Sequence, residues 1–156
     1  AIPYLMRGVV QRVLSAKAVI DGETVGEIGQ GLLVLVCAMP TDTEAVAGRF
    51  LDKLLKLRIF ENDAGKLHHA VTDIDGTGTV GGLLLVSQFT LAADVTGGNR
   101  PSFTAAAPPD LARHLFDYVV MQAQQRHAVV ATGRFAADTQ VHLVNNGPIT
   151  IPLDIA

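Results

Sequence analysis

The 156-residue sequence predicts one α+β domain dominated by antiparallel β-sheet and carrying two principal helices. Three observations support this. Short β-branched and apolar runs, separated by turn residues, fill residues 6–38. Two longer stretches show apolar residues at three- and four-residue steps, each opened by a helix-start signal. Apolar residues make up 49% of the chain and charged residues 17%, which supplies a real core and excludes wholesale disorder.

Residues 6–13 read as a strand, with β-branched Val9, Val10 and Val13 set among Arg7, Gln11 and Arg12. Residues 16–20 and 24–28 flank Asp21-Gly22, a two-residue hairpin signal. Residues 31–38 are nearly all apolar between a Gly and a Pro, as in a central strand. Four strands so close together predict an antiparallel meander. Thr41 and Glu44 have capping-box spacing, in which hydroxyl and carboxylate each accept from a free N–H of the first turn. Val46, Phe50, Leu51, Leu54 and Leu55 then make one helical face ending near Leu57, with Lys53 and Lys56 toward its polar side.

Residues 61–82 are the least ordered by composition, with Asn62-Asp63-Ala64-Gly65 and Asp75-Gly76-Thr77-Gly78 as turn signals. Residues 83–89 form a strand that is apolar on both sides until Ser87. A Gly-rich loop at residues 96–101 carries Arg100. Pro108-Pro109-Asp110 opens the second helix, because Pro suits a first turn and Asp its positive end. Its stripe is Leu111, Leu115, Tyr118 and Val119, and it ends near His127. Strands at residues 129–132, 139–145 and 149–153 complete the domain, which spans residues 6–156 without repeat or linker.

Twelve Lys and Arg against fifteen Asp and Glu leave a net charge of −3, which argues against a broad footprint on nucleic acid and against DNA as a partner. A small basic patch gripping one end of an RNA remains compatible with it. The lone Cys37 excludes an intramolecular disulfide and a Cys-rich zinc site; lying in an apolar run, it reads as a buried thiol in a reducing compartment. No apolar stretch is long enough to span a bilayer, and the expected location is the cytoplasm. The five histidines lack ligand spacing, so neither metal nor cofactor is expected. Gly-x-Ser-x-Gly, Gly-x-x-x-x-Gly-Lys and Gly-x-Gly-x-x-Gly are all missing.

Two polar segments end apolar runs. One is Ser87-Gln88-Phe89-Thr90; the other is Asn145-Asn146-Gly147-Pro148-Ile149-Thr150. A strand end with satisfied hydroxyls is the simpler reading of the first, and an Asn-Gly hairpin of the second. Together, and in order with Met6-Arg7-Gly8-Val9-Val10-Gln11-Arg12-Val13, Leu57-Arg58-Ile59-Phe60, Arg100-Pro101-Ser102-Phe103 and Ala107-Pro108-Pro109, they resemble the D-aminoacyl-tRNA deacylase family along nearly the whole chain after the first five residues.

The resemblance implies a barrel-like sheet arrangement and a homodimer that hydrolyses the ester between a D-amino acid and the terminal adenosine of tRNA, and also accepts glycine mischarged on tRNA-Ala. It implies that Gly147-Pro148, in the cis form, enters the other subunit's pocket and excludes L side chains. Ser87, Gln88, Phe89 and Thr90 would form the pocket floor. The Phe89 amide would face the reacting ester, with Gln88 near the ribose. Arg12 would hold the partner's Gly-Pro loop, and Asn145 and Thr150 would bracket the turn. Thr139 stands near the pocket where a methionine is usual, Ala136 replaces a usual glycine, Asn146 an aspartate and His142 a small residue; residues 72–82 are longer than usual. Lys53, Lys56, Arg58, Lys66 and Arg100 are candidates for phosphate contacts. Residues 1–5 have no counterpart and read as an extension or cloning remnant. Two alternatives stand beside this one: a hydrolase of small D-amino-acid esters that does not use RNA, and a non-catalytic dimeric binding module.

Overall fold

Strand β1 runs unbroken from Met6 to Ile20 and organises the sheet. The computed structural model describes residues 5–156, so the first four positions of the expected N-terminal extension lie outside the described residues. Two strands were expected where β1 lies. The chain changes phase instead of breaking: Met6, Gly8, Val10 and Arg12 are buried in alternation, then Val13, Ala16 and Ala18. Register shifts in the pairing with the last strand fall at the same place, and a bulge of this kind redirects side chains to the other face.

After the turn at Asp21 and Gly22, both at positive φ as a two-residue hairpin requires, β2 (Glu23–Ile28) pairs with the second half of β1. Strand β3 (Gly31–Cys37) pairs with the first half. The expected meander is therefore a sheet with β1 between β2 and β3.

Helix α1 (Glu44–Lys56) buries Val46, Phe50, Leu51, Leu54 and Leu55 as its spacing predicts. Its cap is Thr43 rather than Thr41: the Val46 amide donates to Thr43 Oγ1 at 3.3 Å. The helix starts late because Asp42 turns inward, where its Oδ2 accepts from the Met39 amide at 2.6 Å and closes a turn after β3. Burial raises the Asp42 carboxyl above its ordinary range, against the opposing effect of that amide.

A short hairpin, β4 (Phe60–Glu61) and β5 (Leu67–His69), follows. The segment beyond it is more organised than its composition suggests. Asp73 Oδ1 accepts from the Gly76 and Gly78 amides, and Asp75 accepts from the Thr77 amide and both threonine hydroxyls. The Thr79 hydroxyl, then the Thr77 amide and hydroxyl, hold the Asp75 carboxyl well below the usual carboxylate range.

Strand β6 (Gly82–Ser87) runs parallel to β3 and continues into a 3-10 turn at Phe89–Ala92. Helix α2 (Pro109–Arg126) leads to β7 (Val130–Thr132), which is parallel to β6. The sheet is mainly antiparallel, as expected, and its β3–β6 and β6–β7 pairs are parallel because α1 and α2 lie on the crossovers that parallel neighbours need. His127 caps α2, and its Nε2–H donates to Gly81 O at 2.6 Å, tying the helix end to the start of β6. Leu32, Val34, Leu83 and Leu85 face the helices; Leu33, Leu84 and Val86 pack on the other side with Val13, Ala16 and Ile28. A Cβ on Gly26 would stand 2.4 Å from Thr132 O, so β2 reaches β7 and the sheet nearly closes into a barrel.

The last two expected strands are one, β8 (Gln140–Ile155), which pairs along β1. Before it the chain bends through Ala136, a non-glycine residue at φ +61°. That conformation crowds a Cβ, so Ala136→Gly should raise stability by roughly 0.5–1 kcal/mol. Thermal unfolding would read this as a rise of roughly two degrees, and a fall would contradict it.

Candidate active site

The first cluster forms where β6 ends. Leu83 to Val86 are buried, Ser87 and Gln88 are half-buried, and Phe89 and Thr90 emerge into solvent. The Gln88 amide is held by Val36 O of β3 at 2.8 Å, so the parallel pair aims this corner. Among the described residues, the Phe89 and Thr90 amides donate to no protein acceptor. They are free to meet a substrate oxygen. The Thr90 hydroxyl is paired with the Gln88 side-chain amide, which is not a base.

Arg7 on β1 braces the turn from below, donating from Nη1 to Leu91 O at 3.0 Å. Cys37 is buried beside it, as expected, with Sγ 3.8 Å from Phe89 O and 4.0 Å from Met39 Sδ. Burial pushes its thiol up to about 11, with Arg7 opposing, which leaves it protonated and inert at neutral pH. The exposed Phe89 ring meets Phe103 edge-on, with centroids 5.1 Å apart.

The second cluster is a bulge on β8. Thr150 is opposite Gln11 and Asn145 is opposite Val13, so residues 146–149 stand out of the ladder across from Arg12. This is not the simple hairpin that Asn-Gly suggests. The Gly147-Pro148 bond is cis, Gly147 is at φ +126°, and both residues are exposed. Arg12, only 4% exposed, reaches under the bulge. It donates from Nε to Asn146 O at 3.0 Å and from Nη1 to Ile59 O at 2.9 Å, and Nη2 lies 3.3 Å from Glu61 Oε1. Arg12 therefore grips its own chain's Gly-Pro loop, where a partner's loop was expected. Asn145 Oδ1 accepts from Gln11 Nε2 at 3.4 Å. Glu61 and Ile59 lie nearly fifty positions from Arg12; Ile59 falls within the Leu57-Arg58-Ile59-Phe60 motif, but nothing in the sequence places either residue against Arg12.

The two clusters are apart. Arg7 holds one and Arg12 the other, and five residues of strand separate them by roughly 16 Å. Within the chain, Ser87, Gln88, Phe89 and Thr90 come together, as do Arg12, Asn145, Gly147, Pro148 and Thr150, but no hydrogen bond links the two sets. Thr139 belongs to neither by hydrogen bonding: its hydroxyl donates to Ala137 O at 3.1 Å. Of the candidate phosphate contacts, Lys53 and Lys56 line an open cleft of about 330 Å³ with Arg49, a cation missed in the sequence. Arg58 is occupied by His68 O at 2.7 Å. Among the described residues no three His, Cys, Asp or Glu side chains gather as a metal site, and no helix is long and apolar enough to cross a membrane.

Residues 9–154 match the family model described as D-Tyr-tRNA(Tyr) deacylase. The chain is 66% identical over 151 residues to a D-aminoacyl-tRNA deacylase of Polaromonas naphthalenivorans (strain CJ2), covering 97% of this chain and 98% of that protein. Among solved structures it is similar to a "c-Myc DNA Unwinding Element Binding Protein", with 35% identity, a TM-score of 0.85, and coverage of 95% of this chain and 97% of that one. A "probable eukaryotic D-amino acid tRNA deacylase" shares the fold at a TM-score of 0.74 and 16% identity, covering 96% and 99% of the two chains.

Proposed function

Since this chain belongs to the D-aminoacyl-tRNA deacylase family and is a hydrolase acting on ester bonds, we propose that it works as a cytoplasmic homodimer in which each subunit completes the other's site. The reaction is cleavage of the ester joining a D-amino acid to the terminal adenosine of tRNA, releasing both. Glycine mischarged on tRNA-Ala is a second substrate.

The separation of the two clusters supports this reading most directly. A chain whose Gly147-Pro148 bulge sits near Arg12 does not close it over its own Phe89 and Thr90 near Arg7. A second copy, related by a two-fold axis, supplies the missing half. The bulge of one subunit then stands over the floor of the other, its carbonyls toward the substrate's α-carbon. An L side chain meets those carbonyls, and a D side chain points away. Selection is by exclusion, which is also why glycine is not refused.

The chemistry asked of the floor is modest, because an aminoacyl ester is already reactive. Water attacks the carbonyl carbon, and the free Phe89 amide stabilises the developing oxyanion. Gln88 lies toward the ribose, and Thr139 shapes the pocket wall. The 2′-hydroxyl of the RNA assists the water, since Thr90 has an amide rather than a base for a neighbour. Thr90→Ala should therefore keep at least about a tenth of the wild-type rate on D-aminoacyl-tRNA. Complete loss in a folded, tRNA-binding variant would identify Thr90 as nucleophile.

The deciding experiment is deacylation of matched D-, L- and glycyl-tRNA, with sedimentation to read the assembly. Hydrolysis of the D and glycyl esters with L spared, by a dimer, is expected. Equal turnover of a D-amino-acid methyl ester points to an RNA-independent hydrolase, and no turnover to a binding module.

A further inference from the structure

Arg12 is nearly sealed from solvent, and a buried guanidinium without a counter-charge is costly. Two of its contacts, Asn146 O and Ile59 O, are neutral carbonyls. Among the described residues, the one charged contact is Glu61. Glu61 is not on a free loop: it belongs to β4 and pairs with Leu67 of β5. One end of the ion pair is thus anchored in a hairpin, and the other lies under the bulge.

The same nitrogen that faces Glu61 also stands beside the glycine, where a side chain would begin. A Cβ on Gly147 would lie 3.0 Å from Arg12 Nη2, so the guanidinium is the wall against which the Gly147 backbone rests. Drawing that nitrogen toward Glu61 or releasing it moves the wall. Nε meanwhile carries the Asn146 carbonyl, so the whole fork sets the height and tilt of the bulge.

We propose that Glu61 is a positioning residue for stereochemical selection, holding the Arg12 guanidinium so that it fixes the Asn146–Gly147–Pro148 backbone presented to the second subunit. This rests on the reading that the bulge does the selecting. A glutamate serving only local stability would change D and L turnover alike; one that sets the bulge changes their ratio.

The test compares Glu61→Ala and Glu61→Gln with wild type on matched D- and L-aminoacyl-tRNA, with Gly147→Ala assayed in parallel. Glu61→Ala should lower the D-to-L rate ratio roughly tenfold, mainly through faster L hydrolysis. Glu61→Gln keeps an acceptor oxygen without the charge and should fall between. Glu61 is half exposed, and the glutamine variant preserves its size, so folding is retained in at least that case. An unchanged ratio in the Glu61 variants beside a changed one in Gly147→Ala overturns the role of Glu61 alone. If neither moves the ratio, the bulge reading fails and Glu61 falls with it. If only the Glu61 variants move it, Glu61 acts by another route and the proposal is wrong.

Discussion

Arg12→Ala should lower stability by about 2–4 kcal/mol and reduce discrimination between D- and L-aminoacyl-tRNA by more than about tenfold. The stability loss comes from groups left behind. Ile59 O loses a buried partner and Asn146 O a half-buried one. Each orphaned carbonyl costs on the order of 1–3 kcal/mol, and the vacated volume adds a cavity term. Glu61 is half exposed and can turn to water, so it contributes little to that loss. The discrimination loss is geometric, because the bulge loses both its Nε tether and the Nη2 wall beside Gly147. Arg12→Lys separates the two effects. Lysine restores the charge but, as a point donor, does not bridge β4 and the bulge together. It should recover part of the stability and little of the selectivity. Urea unfolding and paired D and L assays read both; an Arg12→Ala protein with its D-to-L ratio intact would remove Arg12 from the selecting machinery.

The parts of this fold that follow from local periodicity were legible in the sequence. The buried face of α1, Leu115 and Val119 on α2, the Asp21-Gly22 turn and the two-sided burial of β6 all follow from side-chain spacing and turn chemistry. On α2, however, Phe116 and Ala123 are buried in place of Leu111 and Tyr118, which are only half-buried. What was not legible depends on partners distant in sequence. Nothing in residues 6–20 says that a bulge near Arg12 lets one strand serve two sets of neighbours, so one strand read as two. The parallel pairing of β3 with β6 was hidden for the same reason, since strand direction is fixed by the helical crossover and not by strand composition. Thr41 lost the cap to Thr43 because Asp42 found a buried amide, a competition that spacing rules do not weigh.

The site divides in the same way. Its motifs were visible as polar segments ending apolar runs, and the resemblance named their residues. Their supports were not visible: Arg7 under Leu91, Cys37 beside Phe89, and Glu61 and Ile59 around Arg12. These contacts show why the two motifs do not meet within one chain. Each is tied to a different point on β1, a strand paired on both sides along most of its length.

Gly31→Ala should cost about 3 kcal/mol or more, and the protein that still folds should lose roughly a hundredfold in deacylation rate. The added Cβ would stand 2.0 Å from Gly82 O, 2.5 Å from its nitrogen and 2.7 Å from its carbonyl carbon. All three are backbone atoms of the neighbouring parallel strand, so no side-chain rotamer relieves the clash. Gly82 is itself closely packed, since a Cβ there would meet the Ile28 Cβ at 2.7 Å. The strands must part by more than an ångström where their pairing begins. Roughly 16 Å along β6, that pairing ends at Val36 and Ser87, beside the amides and side chains of the pocket floor. A close-packed strand transmits such a shift rather than absorbing it. Gly29→Ala is the control, since a Cβ there meets nothing within 4 Å, and it should change stability by less than about 0.5 kcal/mol. Equal stability and equal turnover in the two variants would mean that β6 is not what aims Phe89 and Thr90 at the substrate.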